Sequence, residues 1–280
     1  MAVIGAGLSM ARANRHFIPG QIWHITHRCH KKDFLLKLAK DRLGWMKWLY
    51  EAKSRYGLTV FNFTATSNHV HLLVLDESGE DAIPKSMQLI AGRTGQEYNR
   101  RKNRKGAFWE DRYHATAIEG PDYLLRCLVY IDLNMVRAGV VSHPSEWPYS
   151  GYHEIQSPRR KCAVIAYEKL AEKAGFQSYE RFKKTHEEWV NETLASDYTS
   201  QQSEWTESIA VGSEPFTRWI KEKLGFLAKG RKVIETTGDS GACQLREMES
   251  GYIDDFDPKM EHIGAQNAYF WNVNHETSTA

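Results

Sequence analysis

The sequence has no long apolar run and no pair of closely spaced cysteines. No stretch reaches the roughly 18–20 apolar residues that a membrane-spanning helix needs, so no membrane span is expected. The four cysteines, Cys29, Cys127, Cys162 and Cys243, lie far apart. That spacing argues against a disulfide framework, and a reduced, cytoplasmic protein fits best. Met1–Met10 is mildly apolar but lacks a basic leader and a long hydrophobic centre. It reads as part of a flexible arm, 1–14, and not as a signal peptide. No internal repeat is present. Overall charge is also small, +2, yet it is unevenly spread. Residues 1–160 hold 23 Lys and Arg against 15 Asp and Glu, and residues 161–280 hold 14 against 20. A basic front half suits a polyanionic partner, although a solvated surface has the same composition.

What the sequence does contain is a readable order of elements. Residues 21–28 alternate apolar and polar positions and predict a strand. Asp33 is placed to cap a helix carrying Phe34, Leu35, Leu38, Leu43, Trp45, Met46, Leu49 and Tyr50, which Gly57 stops. Leu58–Ala65 and His69–Leu75 predict a hairpin around Ser67-Asn68. A second helix is expected from Ile83 to about Arg101, a fourth strand over Tyr113–Ile118, and a third helix from Asp122 to Arg137. Pro121 suits its first turn and Gly139 its end. Strand, helix, strand, strand, helix, strand is the split βαβ pattern of an α+β, ferredoxin-like fold. A four- to five-stranded antiparallel sheet with two helices on one face follows, with the third helix as an addition. Ser157-Pro158-Arg159-Arg160-Lys161 marks a boundary. Beyond it, helices are expected over Ile165–Ala174, Tyr179–Leu194 and Pro215–Leu227 in a helical accessory region, 162–232. From about Gly238 the chain is polar and acidic, and a largely disordered tail, 238–280, is expected, in which Tyr269, Phe270 and Trp271 can dock locally.

Two clusters carry chemistry. In His69-Val70-His71 the histidines are two apart on a strand, so both imidazoles project from one face while Val70 packs behind. The pair is either half of a metal site or two histidines on a solvated face. On the third helix, Tyr130 and Asn134 are four apart, with about 5–6 Å between neighbouring Cβ atoms. They are either a phenol nucleophile beside an amide ligand, or a packed Tyr and a helix-end Asn. Together the clusters define a reaction. A divalent ion on two imidazoles and an amide oxygen polarises a phosphodiester. A tyrosine, mostly protonated at neutral pH with a free pKa of ~10, needs activation before it attacks in line.

Several ordered motifs resemble the HUH single-tyrosine transposases (IS200-like), and most closely the REP-associated tyrosine transposases. Ser67–Val74 resembles the family's His-hydrophobic-His strand, and Tyr130–Val141 its tyrosine helix, where Met135 replaces the usual Pro. Trp147–Tyr152 resembles the segment after that helix, and Phe108–Tyr113 the aromatic-basic approach to the fourth strand. A weaker echo of longer relatives is Gly212–Phe216. The likeness spans about residues 12–155 and implies a catalytic domain over 15–156. It implies that Tyr130 is the nucleophile and that His69, His71 and Asn134 hold Mg²⁺ or Mn²⁺. Mixed nitrogen and oxygen ligands suit manganese. It also implies a single-stranded DNA substrate with a hairpin near the cut, a Tyr130 5′-phosphate ester with a free 3′-hydroxyl on the other piece, and a prokaryotic, nucleoid-associated setting. Relatives occur as monomers and as homodimers.

Candidate DNA contacts are Arg93, Arg100, Arg101, Lys102, Arg104 and Lys105, which can neutralise phosphates. Phe108, Trp109 and Tyr113 can stack on bases. Arg112, Arg137 and Arg15 in the arm complete the set. His24, His27, Cys29 and His30 are zinc-type ligands, but His24 and His27 face opposite sides of a strand. His27 can instead line the active site. The sheet is also an RNA-recognition platform, though the aromatic motifs of that module are missing. A DNA-hairpin-binding regulator without catalysis, or a phosphodiesterase without a covalent step, is compatible with the same residues.

Overall fold

Ile22–Arg28 forms β1, and α1 (Ala39–Tyr56) follows it. Gly57 closes α1 in a left-handed conformation, φ 66°, with its amide donating to the Lys53 carbonyl. Next come the β2 (Thr59–Ala65) and β3 (His69–Leu75) hairpin, α2 (Ala82–Lys102) and β4 (His114–Ile118). These strands lie in the order β2-β3-β1-β4, all antiparallel. That is the split βαβ arrangement of a ferredoxin-like α+β fold. The computed structural model describes residues 17–77, 81–196, 202–228, 230–236 and 242–247. No helix among them is long and apolar enough to cross a membrane. The expected arm, 1–14, and Tyr269–Trp271 lie outside the described residues.

The strand pleat sorts the sheet into two faces. Ile25, Leu72 and Phe63 lie in one cross-strand row, and Trp45 of α1 packs on Phe63 with ring centroids 6.2 Å apart. That face is therefore apolar and covered by α1 and α2. The opposite face carries His24, Thr26, His71, Asn62, Thr64 and Thr116. Over it lies α3 (Asp122–Asp132), followed by α4 (Asn134–Arg137). The pattern predicts one helix from Asp122 to Arg137, and the structure interrupts it at Leu133, φ −78° and ψ 2°. The amides of Leu133 and Arg137 still reach Val129 and Leu133, so the helical path continues across the interruption.

The remaining elements are α5 (Tyr152–Gln156), α6 (Tyr167–Lys173), α7 (Tyr179–Ala195), α8 (Glu204–Glu207), β5 (Ala210–Gly212), α9 (Glu214–Leu224), β6 (Arg231–Glu235) and β7 (Cys243–Glu247). The sheet has seven strands, β2-β3-β1-β4-β5-β7-β6, where four or five were expected. β5 joins β4 in parallel, and the β6–β7 pair continues outward. Residues 242–247 therefore are not disordered tail: Cys243 and Leu245 are buried. The physical reason is the open edge of β4, whose unpaired amides and carbonyls need a partner. The other edge is covered by the Trp147–Tyr152 motif, in which the Tyr149 carbonyl accepts from Ala65 N and Gly151 N donates to the Phe63 carbonyl. The first helix also starts later than Asp33 suggests. Leu36 N instead donates to the Ser67 carbonyl, tying residues 34–38 to the hairpin turn.

One buried network fixes α3 on the sheet. The Asp132 carboxyl accepts from Asn62 Nδ2 at 2.9 Å and from His186 Nε2 of α7 at 2.8 Å. Neither Asp132 nor His186 has an exposed side chain. His186→Ala removes one donor and opens a cavity, so urea denaturation is expected to report a loss of about 3 kcal/mol. A loss below about 0.5 kcal/mol, within the range of neutral surface changes, would show that the pair does not hold α3.

Candidate active site

The strand pleat brings His69 and His71 to one face, with ring centroids 4.9 Å apart. Each ring is held at its Nδ1. His69 Nδ1 lies 2.7 Å from Asn68 Oδ1, a pure acceptor, so Nδ1 carries the proton and donates. Thr66 Oγ1 lies 3.0 Å from the same nitrogen. This leaves the lone pair on His69 Nε2. His71 Nδ1 meets His24 Nε2 at 2.9 Å, and its Nε2 meets Asn134 Nδ2 at 3.0 Å. The amide thus donates to the Nε2 lone pair, and a half-turn about its terminal bond brings Oδ1 to the same side. Among the described residues no group of three His, Cys, Asp or Glu side chains is placed to share an ion. Here the third donor is an amide. Two neutral imidazoles and an amide oxygen are a donor set that fits a divalent ion.

Burial keeps the imidazoles neutral. His24 is fully buried and pushed down to about 3, and His69 is lowered to about 4, in both cases chiefly by desolvation. Arg28, the cross-strand partner of His69, adds to the latter effect. Desolvation also holds His71 well below the usual histidine range, helped by neighbouring His69 and His24.

Tyr130 packs over this group. Its ring centroid is 5.8 Å from His71, 6.1 Å from His24 and 6.1 Å from Trp205. Its phenol is raised above its ordinary value by burial, with Arg137 pulling the other way. The Arg137 guanidinium lies 4.1 Å from the Tyr130 ring centroid and donates to the Tyr130 carbonyl at 2.6 Å. A cavity of about 210 Å³ opens beside Tyr130, lined among others by Arg126, Arg137, Trp189 and Gln202.

Of the residues singled out in the sequence, His69, His71, Tyr130, Asn134 and Arg137 come together. The basic segment does not join them as a block. Arg93 lies 5.5 Å from the Trp48 ring, and Arg101 pairs with Asp41 and stacks on Tyr98. Arg104 closes the end of α2 through Asn99 Oδ1 and the Ala107 carbonyl. Arg100, Lys102, Lys105 and Arg112 are exposed. Trp109 stacks on His27 at 4.1 Å and donates to the Ala91 carbonyl. Arg15 lies outside the described residues. His27 does not line the site, because its ring is on the α1–α2 face while His71 is on the other. For the same reason His24 and His27 do not share an ion.

Two neighbours of the site are not among the residues its motifs point to. His24 sits beneath His71, and Trp205 covers Tyr130 from α8. For His24 the signal was available: in β1 it lies on the face opposite His27. For Trp205 only the fold brings it near.

Residues 20–134 match the family described as Transposase IS200 like. The chain is also similar to a solved REP-associated tyrosine transposase bound to a REP hairpin, at 18% identity and a TM-score of 0.42, covering 53% of this chain and 87% of that one. A transposase structure from Deinococcus radiodurans matches at 13% identity and a TM-score of 0.31, covering 45% and 97%. No curated protein matches the chain.

The buried imidazoles set a pH dependence. Their folded pKa values lie below the ordinary ~6.5 of an unfolded chain, so below that pH the unfolded chain binds more protons. Stability is full above about pH 6.5 and falls as pH drops toward 4. For the enclosed His24 and His71 the slope is on the order of 1 kcal/mol per pH unit each. Urea midpoints in chelator-containing buffer should fall from pH 7 to pH 5, and equal midpoints would contradict the buried neutral assignment.

Proposed function

We propose that the chain nicks and joins single-stranded DNA at or near hairpins, in a metal-dependent reaction that passes through a Tyr130 phosphotyrosine ester. The observation that carries this reading is the convergence of Tyr130, Asn134, His69 and His71 on one face of the sheet, within an IS200-like transposase segment.

His69, His71 and Asn134 would hold Mg²⁺ or Mn²⁺. When bound, such an ion polarises the phosphate and offsets its developing charge. The Tyr130 oxygen attacks phosphorus and forms a new P–O bond. The bond from phosphorus to the 3′ oxygen breaks. The phenolic proton leaves Tyr130, and the departing oxygen takes up a proton as a 3′-hydroxyl, so charge balances overall. Arg137 stays cationic against the ring and favours negative charge on the phenolic oxygen and the adjoining phosphate. The ester keeps the phosphoryl group reactive, and a second 3′-hydroxyl reverses the step to join new DNA. Exposed Arg100, Lys102, Lys105 and Arg112 are the proposed phosphate contacts, with Arg15, Arg93, Arg101, Arg104 and Trp109 as secondary candidates. Cytoplasmic action on the nucleoid follows from this substrate.

The deciding assay incubates single-stranded hairpin oligonucleotides from the repeats flanking the gene with Mn²⁺. A denaturation-resistant protein–DNA adduct is expected from the wild type and none from Tyr130→Phe. Cleavage that survives in Tyr130→Phe but is lost in His69→Ala would instead identify a phosphodiesterase. Binding without cleavage under any divalent ion would leave only a hairpin-binding regulator.

A further inference from the structure

His24 has no place in the chemistry above, yet it is fully buried and tied on both sides. Its Nδ1 lies 2.8 Å from the Trp205 carbonyl oxygen. Its Nε2 lies 2.9 Å from His71 Nδ1. The two rings are nearly parallel, 7° apart, with centroids at 5.1 Å. The Trp205 carbonyl also accepts from Thr116 Oγ1 at 3.2 Å, and Thr116 is the cross-strand partner of His24.

A carbonyl can only accept, so His24 Nδ1 carries the hydrogen. A neutral imidazole then has a bare Nε2, and full burial with no acid on either of its nitrogens keeps the ring neutral. Nε2 accepts the hydrogen of His71 Nδ1. His71 Nε2 is left as a lone pair aimed at Asn134. Were the chain of bonds reversed, His71 Nε2 would carry a hydrogen and be useless as a ligand.

We propose that His24 is a positioning residue that fixes the tautomer and ring orientation of His71, with the main chain of α8 at Trp205 as its anchor. The C-terminal region is then part of the metal site and not only a cover for it. This rests on the reading of His71 as a metal ligand. Partners of this kind typically alter metal affinity about 10–100-fold when removed.

The test has two readouts on the full chain. Long-range ¹H–¹⁵N spectra of the metal-free protein should show His71 protonated at Nδ1 and bare at Nε2. The opposite tautomer overturns the proposal whatever the variants do. Mn²⁺ titration followed by electron paramagnetic resonance should then show His24→Leu weakened about 10–100-fold. His24→Gln, whose amide both donates and accepts, should stay within about threefold of wild type. Equal affinity in wild type and His24→Leu also overturns the proposal. If His24→Leu fails to fold, the tautomer spectrum and His24→Gln decide: a tenfold loss in a folded Gln variant counts against a relay that an amide can replace. No Mn²⁺ binding by the wild type would instead sink the metal-site reading, while the spectrum still judges the relay.

Discussion

The Asp132 carboxyl is the constraint on which the site depends. It lies two residues after Tyr130 and is gripped from two directions, by Asn62 in β2 and by His186 in α7. Those two bonds set how α3 sits on the polar face of the sheet. With α3 fixed, Tyr130 lies over His71, and Asn134 one turn later meets its Nε2. The Gly151 backbone runs so close to Asn62 that a Cβ there would collide with the Asn62 amide oxygen. The segment after the helix thus crosses the sheet at a point where only glycine lets Asn62 keep its bond to Asp132.

The two faces of the sheet divide its labour. The apolar face, closed by α1 and α2, supplies the hydrophobic burial that drives folding. The opposite face buries imidazoles, hydroxyls and amides, and such groups are tolerated only when their hydrogen bonds are made. His24, Thr116, Asn62 and Asp132 each have a named partner. Several of those partners come from the later part of the chain: His186, Trp205 and Ser208. The front segment therefore relies on the later residues to satisfy its own polar interior.

Much of this was legible in the residues. The first four strands, the hairpin at Ser67-Asn68 and the two long helices follow from alternation, helical spacing and Gly57. The pairing of His69 with His71, and of Tyr130 with Asn134, follows from periods of two and about four. What local pattern does not encode is which far-apart elements meet. β5 is three residues of small apolar type, and β7 carries more polar than apolar side chains, so neither has a strand signature of its own. Their pairing answers the open edge of β4 instead. Likewise the basic run from Arg100 to Lys105 looks uniform in sequence, while Arg101 and Arg104 are committed to Asp41 and to the end of α2.

The anchor beneath His24 is a backbone carbonyl, and that has an evolutionary edge. Side-chain replacement at position 205 leaves the oxygen where it is, so drift by point substitution does not disconnect it. Insertions and deletions do. Losing or gaining one residue between Trp205 and β5 rotates α8 and points a different carbonyl, or none, at the histidine. For this contact the segment leading into β5 is thus fixed in length, a ruler laid between the end of the sheet and the centre of the site.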